Sequence, residues 1–184
     1  MANHQVARRY AEALFATALK YEVVKSVESD LNSIVGLLEN DEQFREFVTA
    51  PYTGREEKIA IVEKLFSDRV TALTMQVLRL MLVKRREDEI TGMRDEFVTL
   101  RREHEGVIFA TVTSAFEIDA KQKTALLAKL EKTIGKTIEA EFKLEPQLIG
   151  GIRVAYGNYV LDGSIRGALS NLRDKLRHDL LKQS

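Results

Sequence analysis

Cysteine is absent from the 184 residues, which removes disulfides, thiolate metal sites and thiol nucleophiles together and fits a reducing compartment. Net charge is absent as well. Lys and Arg number 28 and so do Asp and Glu, so the whole molecule exerts no overall pull on nucleic acid or anionic lipid, and affinity for a polyanion needs a local patch. No apolar run reaches the roughly 18 to 20 residues that a membrane span requires; the nearest is LRLMLV, from Leu78 to Val83. The opening MANHQVARRYAEALF carries two arginines but no continuous apolar segment and no small-residue cleavage site, so it reads as no secretory signal. Breakers are scarce in the first half, where Pro51 is the single proline and only Gly36 and Gly54 precede Gly92. Long stretches are therefore free to be helical.

Apolar residues make up 45% of the chain and charged residues 30%, a balance that folds by burying a core. The length suits two small domains better than one. Up to about Glu105 the apolar spacing is helical and predicts six helices: Gln5 to Lys20, Val23 to Leu38, Asp41 to Val48 with Asp41 as N-cap, Arg55 to Phe66, Thr71 to Lys84, and Asp88 to His104. Short connections point to an antiparallel bundle over residues 1–105.

Past Gly106 the period changes. VIFATVTSAF suits a strand, Ala120 to Ile134 is helical with Gly135 as its stop, and TIEAEFKL alternates with Ile138, Ala140, Phe142 and Leu144 on one face. Ile152 to Tyr156 and Tyr159 to Leu161 flank Gly157-Asn158, a dipeptide suited to a two-residue hairpin turn. From Ser164 a last helix sets Ile165, Leu169, Leu172, Leu176 and Leu180 on one stripe. The fold class expected is thus mainly α with an α+β C-terminal part: a six-helix bundle, then over residues 106–184 a small mixed sheet covered by two helices.

Five of the ten glycines fall in LIGGIRVAYGNYVLDGSIRGALSNL, Leu148 to Leu172. The stretch lacks G-x-G-x-x-G, and the segment after Gly150-Gly151 alternates like a strand, so these glycines read as architecture: a bulge or close approach at Gly150-Gly151, a turn at Gly157, and a tight lead into the last helix at Asp162-Gly163-Ser164. Gly135-Lys136-Thr137 resembles the tail of a P-loop, but the leading glycine would fall at Leu130 and the triplet leaves a helix for a strand, the reverse of a phosphate loop. His4, His104 and His178 are scattered without ligand spacing, and no nucleophile motif or metal site is legible. Glu87, Asp88 and Glu89 sit among Lys84, Arg85 and Arg86 as a solvated helix junction. Arg166, Arg173 and Arg177 form a basic stripe that suits phosphate or an acidic partner helix, though Asp174 and Asp179 interleave and no aromatics flank it for base stacking.

The first helix carries the informative anomaly. At about 100° per residue, Val6, Ala7, Tyr10, Ala11, Ala13, Leu14, Phe15, Ala18 and Leu19 cover far more of its circumference than the stripe of little more than 100° that docks a surface helix on one core. The fifth helix, TALTMQVLRLMLVK, is apolar nearly all round, broken only by Gln76 and Arg79. Either it is the centre of the bundle, or it forms with the first a groove for an amphipathic helix; a homodimer is the other use of such a surface.

ARRYAEALF, FVTAPYTGREEKIAIVEKLF, VLRLMLVKRRED, VTSAF and LIGGIRVAYGNYVLDGSIRGALSNL together resemble the δ subunit family of bacterial and chloroplast rotary ATP synthases, whose mitochondrial counterpart is the oligomycin-sensitivity-conferring protein. The resemblance runs in order along essentially the whole chain. It implies a non-catalytic stator subunit without cofactor or metal, and the absence of a transit peptide favours a place on the cytoplasmic face of the bacterial plasma membrane, a processed organellar chain being the alternative. The N-terminal domain would grip the N-terminal helices of the α subunits in a groove between its first and fifth helices, with Tyr10, Ala13, Leu14, Leu78 and Leu82 as the positions carried over or inferred. The C-terminal domain would meet the b subunits of the peripheral stalk, its shape set by Gly150, Gly151, Gly157, Asp162, Gly163, Ser164 and Arg166. Two readings of other classes stand beside it: a small nucleotide-binding enzyme built on the C-terminal domain, and a helical regulator that binds nucleic acid.

Overall fold

A computed structural model describes residues 4–182, with side chains described through residue 173. The chain divides into two compact units, Met1–Arg101 and Arg102–Ser184, so the division falls inside a helix, a few residues before the change of period at Gly106.

The first unit is built by helices α1 (His4–Lys20), α2 (Val24–Asn40), α3 (Glu42–Thr49), α4 (Arg55–Phe66), α5 (Ala72–Val83) and α6 (Ile90–Glu105), with a 3-10 turn at Glu87–Glu89 leading into α6. Local chemistry sets the ends. Asp41 accepts the amide of Phe44 at 2.9 Å and so caps α3. At the other end of α5 the chain closes on itself: Arg85 takes a left-handed φ of 54°, and the amides of Arg85 and Arg86 donate to the carbonyls of Leu82 and Met81. This turn aims three consecutive basic residues away from the core. One core joins all six helices, with Leu14, Leu31, Val35, Leu78, Met81, Met93 and Phe97 among its members, and Phe15 meets Phe97 edge to face with ring centroids 5.4 Å apart. Burying each such leucine contributes about 1.5–3 kcal/mol.

Two polar ties cross this unit. Asp30 of α2 accepts the Thr71 amide at 2.7 Å and the buried Thr74 hydroxyl at 2.9 Å, which pins the start of α5. Lys58 of α4 and Glu87 of the 3-10 turn form a buried ion pair, which pins the segment after the end of α5.

The second unit holds a four-stranded sheet of β1 (Ile108–Ser114), β2 (Ile138–Leu144), β3 (Ile152–Tyr156) and β4 (Tyr159–Asp162) in the order β2-β1-β3-β4. The β1–β2 pair is parallel and bridged by α7 (Ala120–Ile134), while β1–β3 and β3–β4 are antiparallel. Asp119 and Gln122 form a reciprocal capping box at the start of α7, and Gly135 closes its end in the left-handed conformation. Ala110, Val112, Leu130, Ile138 and Val154 make the small core, with Leu126, Leu127 and Ile134 of α7 packed on it. The cover is uneven. Helix α8 (Ile165–Lys182) packs by its start against the 3-10 turn at Pro146–Leu148, and its Ile165, Leu169 and Leu172 stay exposed, so α7 supplies the apolar cover of the sheet. The remaining stripe positions, Leu176 and Leu180, lie outside the described side chains, as do Asp174, Arg177, His178 and Asp179.

The Asp30 tie generates a direct expectation. Asp30→Ala leaves the Thr71 amide and the Thr74 hydroxyl without their acceptor, and urea unfolding should report a loss on the order of 2–3 kcal/mol. A loss under about 0.5 kcal/mol, the scale of an ordinary surface change, would mean that the tie holds nothing.

Candidate functional site: a cleft between α1 and α5

The apolar excess of α1 resolves into two faces. Ala7, Ala11, Leu14, Phe15 and Ala18 turn into the core, whereas Val6, Arg9, Tyr10 and Ala13, at spacings of three, four and seven residues, line an open cleft. The opposite wall is Leu80 of α5, with Lys84 and Arg86 beyond its end. Leu80 is 44% exposed, unusual for a leucine on a helix that also supplies Leu78, Met81 and Leu82 to the core.

This placement corrects the expected groove residues. Tyr10 is half-buried and Ala13 exposed, both on the cleft wall. Leu14, Leu78 and Leu82, however, are 1%, 1% and 2% exposed and belong to the bundle core. The physical reason is periodicity: Leu14 lies one step, about 100°, round the helix from Ala13, and on α5 it is position 80, not 78 or 82, that points outward. Sequence reasoning passed over Val6 as a wall residue, and with it Leu80, Arg9, Lys84 and Arg86; the signal available for Leu80 was its isolation beside Arg79 on the polar side of α5. The fifth helix is thus the centre of the bundle along one face and a cleft wall along another.

In the second unit the glycine-rich stretch is architecture in atomic detail. A Cβ on Gly150 would lie 2.6 Å from Cδ1 of Ile165, and one on Gly151, whose φ is +78°, would land on the carbonyl oxygen of Gly163. The segment after β2 and the start of α8 therefore touch backbone to backbone. Gly157 opens the β3–β4 turn with φ 51°, and Tyr156 pairs with Tyr159 across it. Asp162 accepts the Ser164 amide at 2.9 Å, and the buried Ser164 hydroxyl in turn accepts the Gly167 amide at 3.0 Å as the cap of α8. Gly163 follows the end of β4, its amide donating to the Ile152 carbonyl. Arg166 is exposed on the first turn of α8. Ile149, a β-branched residue, holds a φ of 67° with its side chain out in solvent, a conformation that costs on the order of 1–3 kcal/mol.

Gly135-Lys136-Thr137 joins α7 to β2, the Gly135 amide donating to Glu131 and the Thr137 carbonyl accepting from Ile108. That is the geometry of a helix stop, with its backbone groups already engaged. His4 meets Glu96 at 3.1 Å. Among the described residues no group of His, Cys, Asp and Glu is arranged to hold a metal ion, and no helix is long and apolar enough to cross a membrane.

A helical bundle with an open surface cleft, followed by a small α+β unit whose last helix leaves Ile165, Leu169 and Leu172 exposed, defines a protein of the adaptor class. The chain belongs to the ATP synthase delta (OSCP) subunit family, whose model matches residues 6–176, and is a non-catalytic component of the peripheral stalk. It is 36% identical over 176 residues to the ATP synthase subunit delta of Desulforamulus reducens, covering 96% of this chain and 97% of that one. It is 34% identical to that of Salinibacter ruber, covering 100% and 97%. A chain in the mitochondrial ATP synthase hexamer of Toxoplasma gondii shares the fold, with a TM-score of 0.74 at 21% identity over 92% of this chain and 96% of that one.

Two outcomes follow from the glycine-rich geometry. Gly151→Ala should destabilise the second unit by more than about 2 kcal/mol, the scale of overpacking combined with a strained φ, read as lost amide protection in β3 and α8. Hydrogen bonds from Ser164, its side chain first and its amide second, hold the Asp162 carboxyl below the usual value of 3.8. The stability this lends is complete above that value and is lost as pH falls through the lower folded one. In Ser164→Ala the Asp162 titration followed by NMR should move up toward 3.8, and an unmoved curve would exclude the Ser164 hydroxyl as the cause.

Proposed function

We propose that this chain is the stator link of an F-type ATP synthase, joining the α subunits of the catalytic head to the b subunits of the peripheral stalk at the cytoplasmic face of a bacterial plasma membrane. The α1–α5 cleft carries this reading. Its wall of Val6, Tyr10 and Ala13 facing Leu80 is the complement of an amphipathic helix read at i, i+4 and i+7, and the occupant is the N-terminal helix of an α subunit. Tyr10 is the natural anchor, since a large aromatic half-sunk between two helix walls loses on the order of 2 kcal/mol or more of binding when truncated. Leu14, Leu78 and Leu82 act indirectly, by fixing the spacing of the two walls.

The second unit supports the stalk end of the link. Ile149, Ile165, Leu169 and Leu172 present apolar side chains to solvent, and the Asp162–Ser164 cap together with the Gly151–Gly163 contact holds the first turn of α8 in place for them. Burial of such a stripe by a stalk helix is favourable at about 25 cal/mol per Å² of apolar surface.

The mechanical logic needs no chemistry. Rotor torque would turn the head with the rotor unless the head is tied to the membrane sector, so the link must hold at both ends while leaving nucleotides alone. In a calorimetric titration, the full chain should bind the N-terminal helical peptide of the same organism's α subunit one to one, and Tyr10→Asp should abolish that binding without shifting the thermal melt. A folded wild-type chain that ignores the peptide would overturn the assignment of the cleft.

A further inference from the structure

The charge around the cleft is one-sided. Arg9 comes from the α1 wall, Lys84 and Arg86 from the turn that ends α5, and no carboxylate lines the space between them. Asp88 of the 3-10 turn is exposed and lines other clefts, and four carboxylates on neighbouring elements are engaged elsewhere. Glu12 pairs with Arg8 at 2.9 Å, Glu63 lies 3.8 Å from Arg79, Glu87 pairs with Lys58, and Glu96 meets His4. Among the described residues, the side chains of Arg9, Lys84 and Arg86 make no ion pair or hydrogen bond. In a chain whose 28 basic and 28 acidic residues balance, three uncompensated cations around one apolar floor are a local departure from neutrality.

The fold keeps those cations where they are. The left-handed Arg85 and the amide of Arg86 bonded back to Met81 reverse the chain at the end of α5, and the buried Lys58–Glu87 pair anchors the residue that follows Arg86. The negative end of the α5 dipole also favours Lys84 at that place. Arg9 belongs to the α1 wall and Lys84 and Arg86 to the end of the α5 wall, so a helix seated on the floor meets positive charge from both walls.

We infer that the cleft selects its occupant by charge: it takes an amphipathic helix whose apolar stripe is bordered on both sides by Asp or Glu, and rejects one bordered by Lys or Arg. The inference rests on the cleft being a helix site, as proposed above, and adds what distinguishes the right helix from others of equal hydrophobicity. Rim charges of this kind act on the rate of encounter and on partner discrimination more than on the lifetime of the complex, and their effect fades as salt shortens the screening length.

The test uses the full chain and three designed helical peptides that share one apolar stripe and differ only in flanking residues, Glu, Gln or Lys, together with the α-subunit peptide. The wild-type chain should bind the Glu peptide roughly tenfold or more tightly than the Lys peptide, chiefly through the association rate, and high salt should erase the difference. The triple variant Arg9→Glu, Lys84→Glu, Arg86→Glu should invert the order. A neutral variant, Arg9→Gln, Lys84→Gln, Arg86→Gln, should bind all three peptides alike, which guards against misfolding of the reversed one. Equal binding of the three peptides by the wild type would overturn the inference. So would a homodimer that occludes the cleft, or binding to phosphatidylserine vesicles that needs the three cations while no peptide is preferred. A preference for the Glu peptide with no binding of the α-subunit peptide would sustain the charge rule and remove the α subunit as the occupant.

Discussion

The close approach of α1 to the rest of the bundle is the constraint on which the first unit depends. Ala7, Ala11 and Ala18 are almost wholly buried, and a Cβ on Gly92 of α6 would already lie 3.1 Å from the Cβ of Ala7. Small residues let α1 sink into the bundle, and Leu14 and Phe15 then reach the shared core. Because α1 sits so deep, its next face, Val6 to Ala13, is left as the wall of a cleft rather than as a ridge on the surface. The width of that cleft is a product of core packing, and larger residues at positions 7 or 11 would lift the wall away from Leu80.

The second unit answers to a different contact. There the backbone of Gly151 meets the backbone of Gly163 with no room for a side chain, and this fixes where α8 departs from the sheet. The cap by Ser164 and the Asp162 side chain follow from that departure, because the first amides of α8 need acceptors close at hand. The glycines that read as architecture in the chain are a means of starting a helix at a set place. Both units thus serve the same end by different means, presenting apolar surface on a rigid support.

Two polar ties are buried in the first unit, Asp30 with Thr71 and Thr74, and Lys58 with Glu87. They tie helices together at the two ends of α5, the element that supplies the second wall of the cleft. A buried tie of this kind contributes little net stability but penalises any other packing of the same helices. In an adaptor under torque, a single stiff arrangement matters more than an additional few kcal/mol.

The sequence by itself determined the elements. Helix starts at Asp41 and Asp119, the stop at Gly135, the Gly157-Asn158 hairpin and the change of period at Gly106 are all local signals, each a matter of which φ angles or cap hydrogen bonds a short segment can satisfy. The family likeness and the glycine architecture of residues 148–172 were legible for the same reason. Tertiary structure alone decided which side of each amphipathic helix faces the core. Leu14, Leu78 and Leu82 share the hydrophobicity of true cleft residues, and a helix with apolar residues on most of its circumference cannot say which of them its neighbours will cover. Likewise Ile165, Leu169 and Leu172 of α8 have the period of a helix docked on a sheet, and only the tertiary structure leaves them exposed. The three cations around the cleft come from two segments more than 70 residues apart, and the charge they share exists only once the chain has folded.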